Sequence, residues 1–329
     1  MSWPQTFSKE LIEMLAAVYG ALATGSVIRF IALRKSDETL RKKRLDSLRT
    51  WWILAGIVGA ALLLGRAGIC LLMAIASALA FREYARIVGT NPMDGKANVA
   101  VYLVIALNYL ILYSGNIEAY STLIPIFALL PAVLQLLQGR TEGYMRSTAG
   151  LYWGSIILIY AFSHSVLLFI LPETANGAAG GVGWFLYLVL LTETNDIAQA
   201  LVGRRFGSHN RHRIVPRVSP NKTWEGFLGG MITTIILAIL LAPWMTTLLD
   251  ISIQFGPLAA PGWLTPVFAG ILVALAGFFG DINMSAIKRD VGVKDSSSML
   301  PGMGGLIDRI DSLTFTAPAF VSFVRAISG

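Results

Sequence analysis

The sequence predicts an all-α, polytopic membrane protein of about ten transmembrane helices, and three observations carry the prediction. Of its 329 residues, 55% are apolar and only 14% charged, a balance foreign to soluble chains of this length. The apolar residues gather into ten runs of helical character; at roughly 20 residues per span, ten spans use about 200 residues and leave about 130 for loops. The 26 lysines and arginines alternate between one set of loops and the other, as short cytoplasmic loops require.

The runs lie at 11–33, 51–64, 68–81, 99–113, 119–138, 150–171, 183–202, 226–249, 264–281 and 313–327. Residues 1–13 lack the positive region and small-residue cleavage site of a signal peptide, so the first run is expected to stay in the membrane. The second and third runs are each short for a bilayer, and Gly65-Arg66 between them reads as a tight turn or a re-entrant break; the total is ten, or nine if the pair forms one unit. Most of the eight tryptophans, Trp3 and Trp263 among them, fall near span ends, as an interfacial aromatic belt would place them.

Loops 34–49, 82–96, 140–146, 204–222 and 288–309 hold 22 of the basic residues, whereas the opposite loops hold only Lys9, Arg66 and Arg325. Both termini are therefore expected outside. The two longest polar loops of the second half, 203–225 and 283–312, fall in the cytoplasm. The expected location is the cell (inner) membrane, with an active-site pocket on the cytoplasmic side of the C-terminal half. Topology and attraction to anionic head groups account for the charge of 34–49, and no nucleic-acid partner is expected.

Cys70 is the single cysteine, which excludes an intramolecular disulfide and a multi-cysteine metal site. His164, His209 and His212 make a poor zinc set. No internal repeat of the kind that marks inverted-repeat transporters is present. Arg29, Glu83 and His164 are expected to make interfacial or inter-helix hydrogen bonds.

Ionisable side chains inside or beside a span are costly, so each is a functional candidate, and most lie in the second half. After the run 185–191 come Thr192, Glu193, Thr194, Asn195 and Asp196 on a helix that continues to Leu201, then the basic turn Gly203-Arg204-Arg205-Phe206-Gly207. Carboxylates followed by such a turn suit a metal-bound polyphosphate, and equally a solvated helix end. Next, Ser219-Pro220-Asn221-Lys222-Thr223-Trp224-Glu225-Gly226 precedes an apolar run and places a helix start at the membrane surface. Donors in that first turn can hold an anion, or the segment is an ordinary interfacial cap. Finally, Asp281, Ser285 and Lys288 share one helix face at i, i+4 and i+7, as Asp308 and Asp311 do at i, i+3. Three converging carboxylates repel unless a cation lies between them, and hard cations take carboxylate and phosphate oxygens. The turn from Gly302 to Gly305 can bring backbone N–H groups to an anion, and Lys288, Arg289, Lys294 and Arg309 add charged donors. Acid for a metal and base for a phosphate is a phosphoryl-transfer constellation.

The run Ser285-x-Ile287-Lys288-Arg289, Lys294-Asp295 and Pro301-Gly302-x-Gly304-Gly305-x-x-Asp308-Arg309-x-Asp311 resembles the signature of the CDP-diacylglycerol synthase family, the phosphatidate cytidylyltransferases. The segments at 195–207 and 219–226 resemble two further segments of that family, in the same order. The resemblance is dense from about 196 to 312. It divides the chain into an N-terminal transmembrane region, 1–180, similar to the family only as a polytopic protein, and a C-terminal catalytic region, 181–329. One position departs: the family usually has a histidine where Met303 stands, and Met303 cannot donate a hydrogen bond, carry charge or transfer a proton.

The resemblance implies a helical bundle, often dimeric, that joins CTP to phosphatidate to give CDP-diacylglycerol and pyrophosphate in phospholipid biosynthesis. It implies that Asp281 and Asp308 bind divalent metal with Asp311 as helper, Mg²⁺ being the expected ion, Mn²⁺ its substitute and a monovalent cation a second candidate. Lys288, Arg289, Lys294 and Arg309 would hold the phosphates of CTP and phosphatidate. Asn221, Lys222, Glu225 and Asp196 would complete the nucleotide or metal shell, with Ser219, Ser285, Gly304 and Gly305 as further substrate-binding positions. Two rival expectations are a CTP-dependent lipid kinase of the polyprenol type and a non-catalytic transporter or scaffold.

Overall fold

The computed structural model describes residues 9–35, 37–88, 95–139, 141–174, 180–207, 212–255 and 258–328; Trp3 and His209 lie outside them. Among the described residues ten helices are long and apolar enough to cross a membrane. They are α1 (Lys9–Ala32), α2 (Glu38–Leu63), α3 (Gly65–Val88), α4 (Gly95–Ser114), α5 (Ile117–Leu137), α6 (Tyr144–Leu167), α7 (Gly180–Phe206), α8 (Trp224–Met245), α9 (Thr265–Asp290) and α10 (Ile307–Ser328).

The short second and third runs resolve into two complete helices. The second run looks short because the first turns of α2 are polar and lie before it; Asp37 caps that helix by accepting from Thr39 N. Gly65, at φ +65°, turns the chain directly into α3, a conformation glycine adopts without a Cβ penalty. The ninth run continues past its last apolar residue to Asp290, because Met284 and Lys288 remain buried beyond Asp281. In α5 the helix breaks before Leu130, where Pro131 removes an N–H. In α6 residues Ile156–Ala161 widen into a π turn. There the Tyr160 carbonyl accepts from Tyr120 Oη at 2.8 Å, and His164 Nδ1 lies 2.9 Å from the same hydroxyl. Outside the all-helical expectation, the α8–α9 connection carries a two-stranded antiparallel hairpin, β1 (Ile253–Phe255) and β2 (Leu258–Ala260).

One apolar core crosses residue 180. Phe81, Val104, Leu158, Trp184, Tyr187, Val273 and Phe320 belong to it, so α3, α4, α6, α7, α9 and α10 share a single packing unit. The helices that carry the polar residues approach through glycine: a Cβ on Gly226 of α8 would lie 2.7 Å from Gln199 O and 3.1 Å from Gly203 Cα of α7. Small residues at such crossings let van der Waals packing hold helices that lipid would otherwise solvate equally well. Gly226→Val is expected to cost about 1–3 kcal/mol by overpacking and to lower the melting temperature in detergent. Gly56→Ala, inside α2 on a surface with nothing within 4 Å, is expected not to lower it, since alanine favours a helix interior over glycine.

Candidate functional site

The polar residues of α7, α9 and α10 meet beside two features, the start of α8 and the interruption of α10. Thr223 caps α8, its Oγ1 accepting from Gly226 N at 3.2 Å, and the turn before it closes by Lys222 N donating to Ser219 O. This fixes Lys222 at the mouth of the α7–α8 crossing. Gly280 lets the interruption of α10 at Asp311-Ser312 press against α9: a Cβ there would meet Asp311 O at 2.7 Å and Ser312 Cα at 3.0 Å. Asp281 therefore lies near enough to Asp311 of α10 and Asp196 of α7 for their charges to repel, with Glu193 one turn before Asp196 on the same helix and repelling it.

Lys222 Nζ lies 2.6 Å from Asp281 Oδ2 and donates to Gln199 Oε1 at 2.9 Å, over the Phe278 ring. Ser285 Oγ donates to the other Asp281 oxygen at 3.3 Å, so the shared face of Asp281, Ser285 and Lys288 forms as the spacing predicts. Lys288 serves a second acid. Its Nζ lies 2.6 Å from Asp308 Oδ1, with the two side chains 11% and 10% exposed. Asp308 Oδ2 accepts from Ser296 N at 3.2 Å, Ser296 Oγ at 3.1 Å and Gly305 N at 3.0 Å.

Asp281, Asp308 and Asp311 are thus not one cluster in this structure. Asp196 takes the third place beside Asp281 and Asp311, while Asp308 ties the loop after α9 to Lys288. The turn from Gly302 to Gly305 also differs from an open anion cradle, because its amides are engaged within the loop. Met303 N and Gly304 N donate to Leu300 O, and Gly305 N to Asp308. Gly302 and Gly304 have φ of +71° and +90°; Gly302 packs against the backbone of Lys43 and Ser47, and Thr50 Oγ1 donates to Pro301 O at 2.9 Å. Met303 is buried.

Of the other predicted positions, Arg289 bonds to Val218 O at 3.3 Å and Val293 O at 3.1 Å, joining the two polar loops. Glu225 pairs with His212, Ser219 closes the turn ahead of α8, and Asn221 and Lys294 are exposed. Sequence reasoning missed Gln199, Thr50 and Ser296 as partners of these groups, and left Glu83 without a site.

Several buried donors near the acids lack an acceptor: Asn195 Nδ2, Gln199 Nε2, Asn283 Nδ2 and Arg309 Nε. Burying a donor unpaired costs about 1–3 kcal/mol, and the acceptor Asp196 Oδ1 is also unpartnered here, so the region holds open polar groups of both kinds. Among the described residues no three of histidine, cysteine, aspartate and glutamate form a closed metal set. Because breaking a buried ion pair strands one charge, Lys288→Met and Asp308→Asn are each expected to cost about 3 kcal/mol. The double variant should lose clearly less than the sum in a thermal-denaturation cycle.

Comparison with known proteins extends this site to a family. The pattern of the cytidylyltransferase family matches residues 46–327, and so takes in α2 to α6 as well as the polar region. The chain is 36% identical over 316 residues to the uncharacterized protein YnbB of Escherichia coli K12, covering 96% of this chain and 98% of that one. It is 30% identical over 291 residues to the phosphatidate cytidylyltransferase of Thermotoga maritima, covering 87% and 99%. To the phosphatidate cytidylyltransferase of Pseudomonas aeruginosa it is 32% identical over 249 residues, covering 74% and 83%. With a match across nearly all of its membrane helices and its polar loops, the chain belongs to the cytidylyltransferase family and is a multi-pass membrane nucleotidyltransferase.

Proposed function

We propose that the enzyme converts CTP and phosphatidate into CDP-diacylglycerol and pyrophosphate at the cytoplasmic face of the inner membrane. The observation that carries the proposal is the pairing of each key aspartate with its own lysine, Asp281 with Lys222 and Asp308 with Lys288, both at 2.6 Å. Each ammonium supplies the positive charge that a divalent cation would bring to its aspartate. Each lysine is then available to a phosphate once that charge is met otherwise.

When bound, Mg²⁺ or Mn²⁺ would neutralise the triphosphate and polarise the phosphoryl oxygen. Asp281 would hold it, with Asp311 and Asp196 close by; Asp308, the second ligand that the resemblance implies, is engaged by Lys288 in this structure. Lys222, Lys288, Arg289, Lys294 and Arg309 hold the phosphates of the two substrates, and the unpartnered amides of Gln199 and Asn283 add neutral donors. An anionic oxygen of the phosphatidate monoester bonds to the α-phosphorus of CTP as the bond to the bridging oxygen breaks, and that electron pair leaves with pyrophosphate. A phosphate monoester has a second pKa of about 6, so the nucleophile is ionised at neutral pH. The chain has no proton to remove, and Met303 is compatible with the reaction. Both reactants are anions, so placing cations is the principal task of the site.

Membership of a nucleotidyltransferase family sets aside the transporter and scaffold readings. Transfer of the γ-phosphate to a lipid is separated by label. With phosphatidate, Mg²⁺ and CTP labelled at the α- or γ-phosphate, the lipid phase is expected to take label from α-CTP alone, and chelation should abolish it. Label from γ-CTP alone would make the enzyme a kinase. Asp281→Asn is expected to reduce turnover by about 100-fold or more, on the scale of a lost charge-stabilising group.

A further inference from the structure

We infer that Glu83, on α3, is a positioning residue that clamps the two ends of the loop carrying Ser296 to Asp308. The inference rests on the cytidylyl-transfer reading only for its kinetic arm. Glu83 is 3% exposed, and a buried carboxylate persists only when its lone pairs are matched by donors. Among the described residues, four hydrogen bonds reach its carboxylate, and all four come from that one loop. Oε1 accepts from Ser297 Oγ at 2.6 Å and Leu306 N at 3.1 Å. Oε2 accepts from Ser296 Oγ at 3.2 Å and Ile307 N at 3.1 Å.

Each carboxylate oxygen therefore takes one donor from the start of the loop and one from its end. The intervening residues, with the Leu300–Gly304 bridge, are held as a closed ring around the side chain. Ser296 is shared: its hydroxyl lies 3.2 Å from Glu83 and 3.1 Å from Asp308 Oδ2. Having one proton, it serves one carboxylate at a time, while backbone N–H groups keep the other satisfied. Gly305 fits between them because it has no side chain; a Cβ there would overlap Ser296 Oγ and lie 2.6 Å from Glu83 Oε2.

Glu83 thus acts through Asp308, and through Asp308 on Lys288, without touching the acidic group around Asp281. A glutamine cannot replace it. Whichever end carries the NH₂ group faces a backbone N–H, of Leu306 or of Ile307, which cannot turn away. If the side chain merely filled space, glutamine would serve as well.

The test compares full-length wild type, Glu83→Gln and Ser297→Ala in detergent by hydrogen exchange over residues 300–307 and by steady-state transfer from CTP. Glu83→Gln is expected to exchange about tenfold faster there, the scale of one lost hydrogen bond to a charged group, with α7 and α8 unchanged. Its kcat should fall by about tenfold or more while KM for CTP stays within about threefold, because the Lys222 side of the site is intact. Ser297→Ala should show the same changes at smaller size. Unchanged exchange in Glu83→Gln, or faster exchange spread evenly over α7 to α10, would overturn the inference. Should Glu83→Gln fail to fold, Ser297→Ala decides, and wild-type exchange in that variant would overturn it too. If wild type transfers no cytidylyl group, the proposed function falls, and the exchange arm still judges Glu83.

Discussion

The Lys288–Asp308 pair lies where two charges are almost wholly withdrawn from water, and the arrangement of the polar end follows from that cost. Such a pair persists only if the remaining lone pairs and protons are also met. Asp308 meets the requirement by drawing in Ser296 and Gly305, and in doing so it folds the loop after α9 back onto the helix. The loop has little apolar material of its own: between Val291 and Leu306 it is mostly glycine, serine, charged residues and proline. Its shape is set by which carboxylates it can satisfy.

The same accounting explains why the helices must come so close. Asp196, Asp281 and Asp311 come from three helices, and glycines on α9 let those helices approach: a Cβ at Gly277 would lie 3.1 Å from Asn195 Nδ2 of α7 and one at Gly280 2.7 Å from Asp311 O of α10, while Gly203 and Gly226 bring α8 and Lys222 up to α7. Packing in the membrane and electrostatics at its edge are therefore one design problem. Glycine at the crossings sets the spacing of the acids, and Lys222, capped into position ahead of α8, offsets their repulsion. Around this group the buried donors of Asn195, Gln199, Asn283 and Arg309 and one oxygen of Asp196 find no partner within the chain.

Ten spans and the shared face of Asp281, Ser285 and Lys288 were legible because both depend on local rules, hydropathy over a bilayer's length and the period of a helix. The ends of the spans were less so. The reach of α9 to Asp290 depends on Met284 and Lys288 finding partners elsewhere, which no hydropathy window sees. Spacing likewise suggested that Asp308 and Asp311 act together; the helical turn between them forms, with Asp311 N bonded to Ile307 O at 3.0 Å, yet each carboxylate finds a different neighbour. The glycine turn was visible as glycine, but the acceptors of its amides were not. Glu83 could be recognised as an acid beside a span; its partners lie more than 200 residues away in sequence, beyond any spacing rule.

The hairpin of α2 and α3 gives the polar loop an unusual mount. Thr50 holds Pro301 from one arm, Glu83 holds the loop ends from the other, and both arms meet at the single turn at Gly65. At 1.5 Å per residue the arms are about 20–27 Å long, so opening the hairpin by one degree displaces its tips by roughly 0.4 Å. The hairpin is a pair of tongs whose hinge lies at the far end of the helices from what it grips. A change in the angle between those arms is therefore a change of grip on the loop that carries Asp308, and the packing of α3 in the core holds that angle.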